Sequence, residues 1–260
     1  MNKNKVNWIK NSKKNLLKEI LKLDNINLSY DSWKTYILKN ISFSVFSWEV
    51  LSIIWLNWSW KSSLLKIISG IQKQDSGKIV KKFEKLAYVP QKINLEESFP
   101  ILVSEFIKIY NEWISLIVIE DFLAKFNSKE LINKRIDKLS WWQLQKILII
   151  SALLSYPDLI LLDEPTAWID IIWEEIFYEI IKEVKEYFPN LSIILVSHNI
   201  HLVYKNSDKV ICLHENNFCC HWTAMEVWTN PIIQNIFWEY ILPYKHKPHS
   251  YKENKWCKIC

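Results

Sequence analysis

The stretch Trp55-Leu56-Asn57-Trp58-Ser59-Trp60-Lys61-Ser62 places the tightest limit on what this chain can fold into. Its spacing is that of a phosphate loop, G-x-x-x-x-G-K-[ST], with tryptophan at the glycine positions. Such a loop turns tightly enough that successive backbone N–H groups point inward at an anion. Some of its positions need φ > 0 or a close backbone approach, which glycine alone meets cheaply. Any other residue held there costs on the order of 1–3 kcal/mol, and indoles that bury roughly 150–250 Å² each would fill the space the phosphates need. The exchange recurs at Trp141-Trp142 and at Trp168. The chain has 15 tryptophans and 2 glycines, where ordinary usage of about 7% predicts roughly 18 glycines. We therefore read these tryptophans as glycines, encoded by UGA in a lineage that assigns that codon to glycine. Trp8, Trp113 and Trp228 lie outside any motif, and either residue suits them. The rival reading takes the tryptophans literally, in a degenerate copy that binds nothing.

At 260 residues the chain is long enough for one domain, or one domain plus a lobe, with a substantial core. Half of it is hydrophobic and 23% is charged, as in a water-soluble globular protein. The net charge of +5 is modest, and its lysines gather at residues 3–22 and 245–258, which read as solvated termini. No nucleic-acid partner is expected. The N-terminus lacks the apolar core and cleavage site of a signal peptide. Even the apolar run 147–162 is broken by Ser151, Ser155, Pro157 and Asp158, so no membrane-spanning helix is expected. Five cysteines, all beyond residue 211, do not form a disulfide framework, and a reduced, cytosolic setting fits.

Polar–apolar alternation predicts strands over 23–30 and 39–46, and a short buried strand over 50–54. The phosphate loop follows at once, then a helix over 61–69 that stops at Gly70. Strands are expected over 78–83 and 86–89, a largely helical stretch over 100–150, and a fully apolar strand over 159–162 that ends in Asp163-Glu164. Helix 171–187, strand 191–197, helix 199–206 and strand 209–213 then alternate. This is an α/β chain: a parallel phosphate-loop NTPase core, antiparallel strands in front of it, and an inserted helical lobe. The expected organisation is a basic extension over 1–22, one domain over 23–240 with its helical subdomain at about 100–150, and a basic tail over 241–260, expected to be poorly ordered.

Lys61 stands where it can reach the β- and γ-phosphates of a nucleotide, and Ser62 where it can ligand Mg²⁺, while the helix that follows turns its positive end to the anion. Asp163 is expected to hold the magnesium, directly or through water. Glu164 is the candidate general base that polarises an attacking water. Two adjacent carboxylates could be a solvated strand end, but the four apolar residues before them argue against it. Ser140 can cap a helix that begins near Trp141, and that N-terminus is a second anion site.

With these parts assembled, the chain resembles the ATP-binding cassette (ABC) ATPases from about residue 23 to residue 240, with the family's motifs in order. Tyr30 lies where the family has an aromatic that stacks on adenine. The segment 55–62 is similar to the Walker A motif, so the resemblance assigns Trp55, Asn57, Trp58, Ser59, Trp60, Lys61, Ser62 and Ser63 to ATP. Gln91, in Tyr88-Val89-Pro90-Gln91, matches the glutamine that senses the γ-phosphate and its metal and couples to the transport subunit. Ser140, Trp141, Trp142 and Gln143 match the signature LSGGQ, residues 159–164 the Walker B strand, and Asp170 the loop that contacts the opposite subunit. His198 matches the switch histidine. The resemblance implies two subunits packed head to tail around two ATP molecules, opened again by hydrolysis, and driving attached membrane subunits.

Three segments narrow the resemblance to zinc- and manganese-importer ATPases: Tyr88 to Phe106, Cys212 to Trp222, and Ile169 to Tyr178. It implies an integral membrane permease as partner, an extracytoplasmic solute-binding protein acting indirectly, and a peripheral position on the cytoplasmic face of the membrane. The tail carries His246, His249, Cys257 and Cys260, two pairs of soft ligands that could bind Zn²⁺. A disordered tail is the preferred reading, because short His/Cys tracts are compositional signals. Two other classes remain: a soluble cassette ATPase acting on DNA or ribosomes, and an inactive scaffold if the tryptophans are literal. The first of these usually carries a long coiled coil or a duplicated cassette, and this chain has neither.

Overall fold

A computed structural model describes residues 18–29, 35–55, 61–91, 100–165, 171–197, 203, 207–214 and 217–223. Its strands are β1 (Glu19–Ser29), β2 (Tyr36–Phe46), β3 (Val50–Trp55), β4 (Ser76–Lys81), β5 (Leu86–Val89), β6 (Leu159–Asp163), β7 (Ser192–Ser197), β8 (Lys209–His214) and β9 (Asn217–Thr223). Its helices are α1 (Lys61–Ser69), α2 (Val103–Tyr110), α3 (Leu116–Lys125), α4 (Trp141–Leu153) and α5 (Ile171–Tyr187). The predicted bounds hold for α1, α5 and β5. β1 and β2 start ahead of the expected residues 23 and 39, and β9 was not anticipated. Of the expected helix 199–206 only Val203 is described, and it is helical.

The strands form one sheet in the order β4-β1-β2-β9-β8-β3-β7-β6-β5. From β8 to β5 every neighbouring pair is parallel. At the other end β1 pairs antiparallel with both β2 and β4. A single parallel pairing, Lys39 with Asn217, joins the two halves. This is the expected combination of a parallel core, an antiparallel subdomain and an inserted helical lobe, α2–α4.

The parallel strands are mostly apolar because both of their faces are covered. Leu159 and Leu161 of β6, with Ile194 and Val196 of β7, belong to the cluster that holds Leu64, Leu65 and Ile68 of α1 and the inner faces of β1 and β2. The intervening Ile160, Leu162, Ile193 and Leu195 pack on the opposite face with Phe177 of α5 and with the lobe. One strand thus belongs to two cores in alternation, and a slip of one residue would exchange them.

Turn chemistry bears on the tryptophan question. Trp48, in the turn between β2 and β3, has φ 66°, in the left-handed region that favours glycine. Its N–H donates to Ser192 Oγ at 2.9 Å, and Lys185 donates to its carbonyl, so the turn is held to the core at both ends of the residue. The two glycines also adopt positive φ, 87° at Gly70 and 95° at Gly77. A Cβ at Gly77 would run into the backbone carbonyl of Asn25.

Leu161 is wholly buried. We expect Leu161→Ala to lower unfolding stability by about 2–5 kcal/mol through lost transfer energy and the cavity left behind, measured by denaturant titration.

Candidate nucleotide site

The carboxyl ends of β3, β5, β6 and β7 lie along one edge of the parallel sheet, where α/β proteins bind ligands. β3 ends at Trp55, pairing with Leu213 of β8, and the expected phosphate loop follows. Leu56, Asn57, Trp58, Ser59 and Trp60 lie outside the described residues, and so do Tyr30, Asp170 and His198. α1 resumes at Lys61, with Ser62 and Ser63 half-buried in its first turn. The helix packs against β5 and β6, which brings its N-terminus, whose first N–H groups have no partner within the helix, to the same edge as Asp163. β7 ends at the buried Ser197, next to the expected switch histidine.

Asp163 is the last residue of β6 and Glu164 follows it; they are only 2% and 5% exposed. Solvation is therefore not what keeps these two acids at the strand end. Glu164 has φ 43°, and its N–H donates to Val196 O at 3.1 Å, so the chain leaves the sheet through a left-handed residue. Backbone strain of this kind is concentrated at functional sites.

Asp163 accepts a hydrogen bond from the neighbouring edge strand, and Glu164 accepts one from the residue two places past its end. Tyr88 of β5 donates its phenolic O–H to Asp163 Oδ2 at 3.1 Å. Gln91, just past β5, donates Nε2 to Glu164 Oε2 at 2.8 Å. The parallel register, Tyr88 beside Leu161 and Val89 beside Leu162, sets both donors within reach. Burial lifts the Tyr88 phenol well above its ordinary pKa, and the charge of Asp163 and the hydrogen bond to it add to the shift. The phenol is therefore a neutral donor at physiological pH. Sequence reasoning had singled out Gln91, Asp163 and Glu164, but not the part played by Tyr88. The strand register was the missing information.

The signature segment opens α4. Ser140 Oγ accepts from Gln143 N–H at 3.2 Å, and Gln143 Oε1 accepts from Ser140 N–H at 3.1 Å, a reciprocal capping box. Lys134 Nζ also donates to Gln143 Oε1, at 3.1 Å. Trp141 and Trp142 form the first turn, and Trp142 meets Phe177 edge to face with ring centroids 6.5 Å apart. The cap expected of Ser140 is present, on the inserted lobe.

A family model described as ABC transporter matches residues 38–167, from β2 to just past the two acids. The chain belongs to the ABC transporter family. Its fold and relatives make it an ABC ATPase. It is 34% identical over 238 residues to the zinc import ATP-binding protein ZnuC of Buchnera aphidicola subsp. Baizongia pistaciae (strain Bp), covering 90% of this chain and 98% of that one. The zinc import ATP-binding protein ZnuC of Wigglesworthia glossinidia brevipalpis is 35% identical over 222 residues, covering 85% and 94%. Among solved structures, a nucleotide-free ATP-binding cassette from an ABC transporter superposes with TM-score 0.71 at 20% identity, over 85% of this chain and 99% of that one. The cbiO1 protein of Clostridium perfringens, part of an ABC transporter complex, gives TM-score 0.71 at 23% identity, over 86% and 97%. These structural likenesses bear on the ABC ATPase fold alone.

Proposed function

We propose that this ABC ATPase is the energy-supplying subunit of a membrane importer for a divalent metal, with zinc the first choice and manganese the second. The zinc-import names of relatives that match most of the chain support the substrate. The observation that carries the chemistry is the buried Asp163–Glu164 pair, which accepts from Tyr88 of β5 and from Gln91 just past it.

In this reading the cassette spans 23–240, and Lys61, Ser62 and Ser63 at the start of α1 receive the phosphates of ATP, with Trp55, Asn57, Trp58, Ser59 and Trp60 forming the loop. Tyr30 stacks on adenine. The donors suit Mg²⁺: Asp163, the Ser62 hydroxyl and the Gln91 amide offer hard oxygen ligands of the kind this ion takes beside phosphate. Among the described residues no three His, Cys, Asp or Glu side chains gather to hold a metal by themselves. When bound, the ion neutralises phosphate charge. Glu164 orients and deprotonates the attacking water, and Gln91 and His198 sense the γ-phosphate.

Ser140, Trp141, Trp142 and Gln143 lie on the lobe, and in this reading they close on ATP held by a second copy of the chain, with Asp170 at that contact. The chain then acts as a homodimer. An integral membrane permease is its partner, with an extracytoplasmic solute-binding protein acting indirectly, which sets the dimer on the cytoplasmic face of the membrane. No described helix is long and apolar enough to cross a membrane. A groove of about 480 Å³ between β5 and the lobe supports that docking; Leu86, Pro90, Phe106, Tyr110 and Leu148 line it. Beside it, Ile109, Tyr110, Trp113 and Ile117 are all more than half exposed.

The glycine reading of the tryptophans belongs to the same proposal, and the φ of Trp48 supports it. Peptide mass spectrometry of the native protein is expected to find glycine at 48, 55, 58, 60, 141 and 142. Tryptophan there would leave an inactive scaffold as the better reading.

Glu164→Gln is expected to slow turnover by 10²-fold or more and to trap an ATP-bound dimer, read by phosphate release and gel filtration. Turnover at the parent rate would show that the base lies elsewhere. A strain lacking the gene should lose uptake of radiolabelled zinc, regained with the parent chain and not with Lys61→Ala. Unchanged zinc uptake together with lost manganese uptake would move the substrate to manganese.

A further inference from the structure

We propose that Tyr88 is a positioning residue for Asp163, fixing the carboxylate that receives the nucleotide's divalent cation; this rests on the reading of Asp163 given above. The phenol lies 3.1 Å from Asp163 Oδ2. It comes from β5, whose register sets Tyr88 beside Leu161, two places behind the acid. A side chain of that length therefore runs along the strand toward the carboxyl end. Its ring packs against the cluster shared by α1, β1 and β2, while its hydroxyl leaves that cluster to meet the acid.

The terminal torsion of an aspartate is broad and roughly two-fold, so each hydrogen bond to the carboxylate narrows its orientation. A donor fixed on one oxygen sets the plane of the group and hence the direction in which the other oxygen presents its lone pairs. Outer-sphere partners of this kind commonly contribute 10–100-fold to metal affinity. Tyrosine suits the place because a phenol can donate a hydrogen bond without bringing a positive charge. Asp163 thus meets a donor that does not compete with a cation electrostatically, as a lysine would.

Tyr88→Phe keeps the ring and removes only the donor. Mn²⁺ is the probe, titrated into the full-length dimer loaded with ATPγS and followed by electron paramagnetic resonance. We expect Tyr88→Phe to weaken Mn²⁺ binding about tenfold. Binding of ATPγS in excess EDTA, and the thermal midpoint without metal, should stay near the parent values. ATPase activity should recover at high Mg²⁺, so that the change appears in the metal requirement and not in the maximal rate. Asp163→Asn is the control and should lose Mn²⁺ binding more severely. If Asp163→Asn loses the ion and Tyr88→Phe binds it like the parent, the positioning role is overturned while the cation site stands. If Asp163→Asn also binds like the parent, the reading of Asp163 fails and the proposal falls with it. Equal losses of Mn²⁺ binding and metal-free nucleotide binding in Tyr88→Phe would reduce Tyr88 to packing and overturn the proposal.

Discussion

Two carboxylates at the end of a strand that water reaches on neither face are the constraint around which this molecule is arranged. Burying a charged group without partners is costly, and a protein that does so must supply donors or shift the group to its neutral form. Here Tyr88 of the adjacent strand donates to Asp163, and Gln91, just past that strand, donates to Glu164. That solution requires β5 to be the parallel neighbour of β6 in one register. The register in turn depends on the alternation that sends Leu159 and Leu161 to one core and Ile160 and Leu162 to the other. The site and the two cores are therefore consequences of a single strand pairing.

Much of the fold was legible because its elements carry strong local signals. α1 begins directly after the expected phosphate-loop segment and stops at Gly70, whose positive φ fits a helix terminus. β6 and β7 announce themselves by unbroken apolar runs between polar boundaries. β9 escaped notice because Asn217–Thr223 mixes cysteine, histidine and polar residues without clear alternation, and its pairing with β8 is a tertiary fact. The early start of β1 escaped for a related reason. Glu19 is a poor strand former, but Ser44 Oγ and Lys82 Nζ both donate to its carboxylate, so cross-strand partners override its local preference.

At the site, residue types and spacing singled out Asp163, Glu164 and the capping serine, and the family resemblance singled out Gln91. They were not enough to find Tyr88, because a tyrosine in a short apolar strand looks like packing until the neighbouring strand is known. The tryptophans raise the opposite problem, since there the local letter contradicts the local geometry. At Trp48 the backbone adopts the region in which both glycines of this chain also lie, and no property of an indole favours it. Local chemistry and global fold ordinarily agree in natural sequences, and glycine at that turn would restore the agreement.

β5 has one further property. Among the described residues it is an edge strand of four residues, paired in the sheet with β6. Its backbone is therefore anchored more weakly than that of any strand flanked on both sides, and its other flank faces the groove beside the helical lobe. A displacement there of a few tenths of an ångström would lengthen both donor contacts together. Mechanical load on the rim of the sheet would then be felt first by its two acids, well before the cores yield.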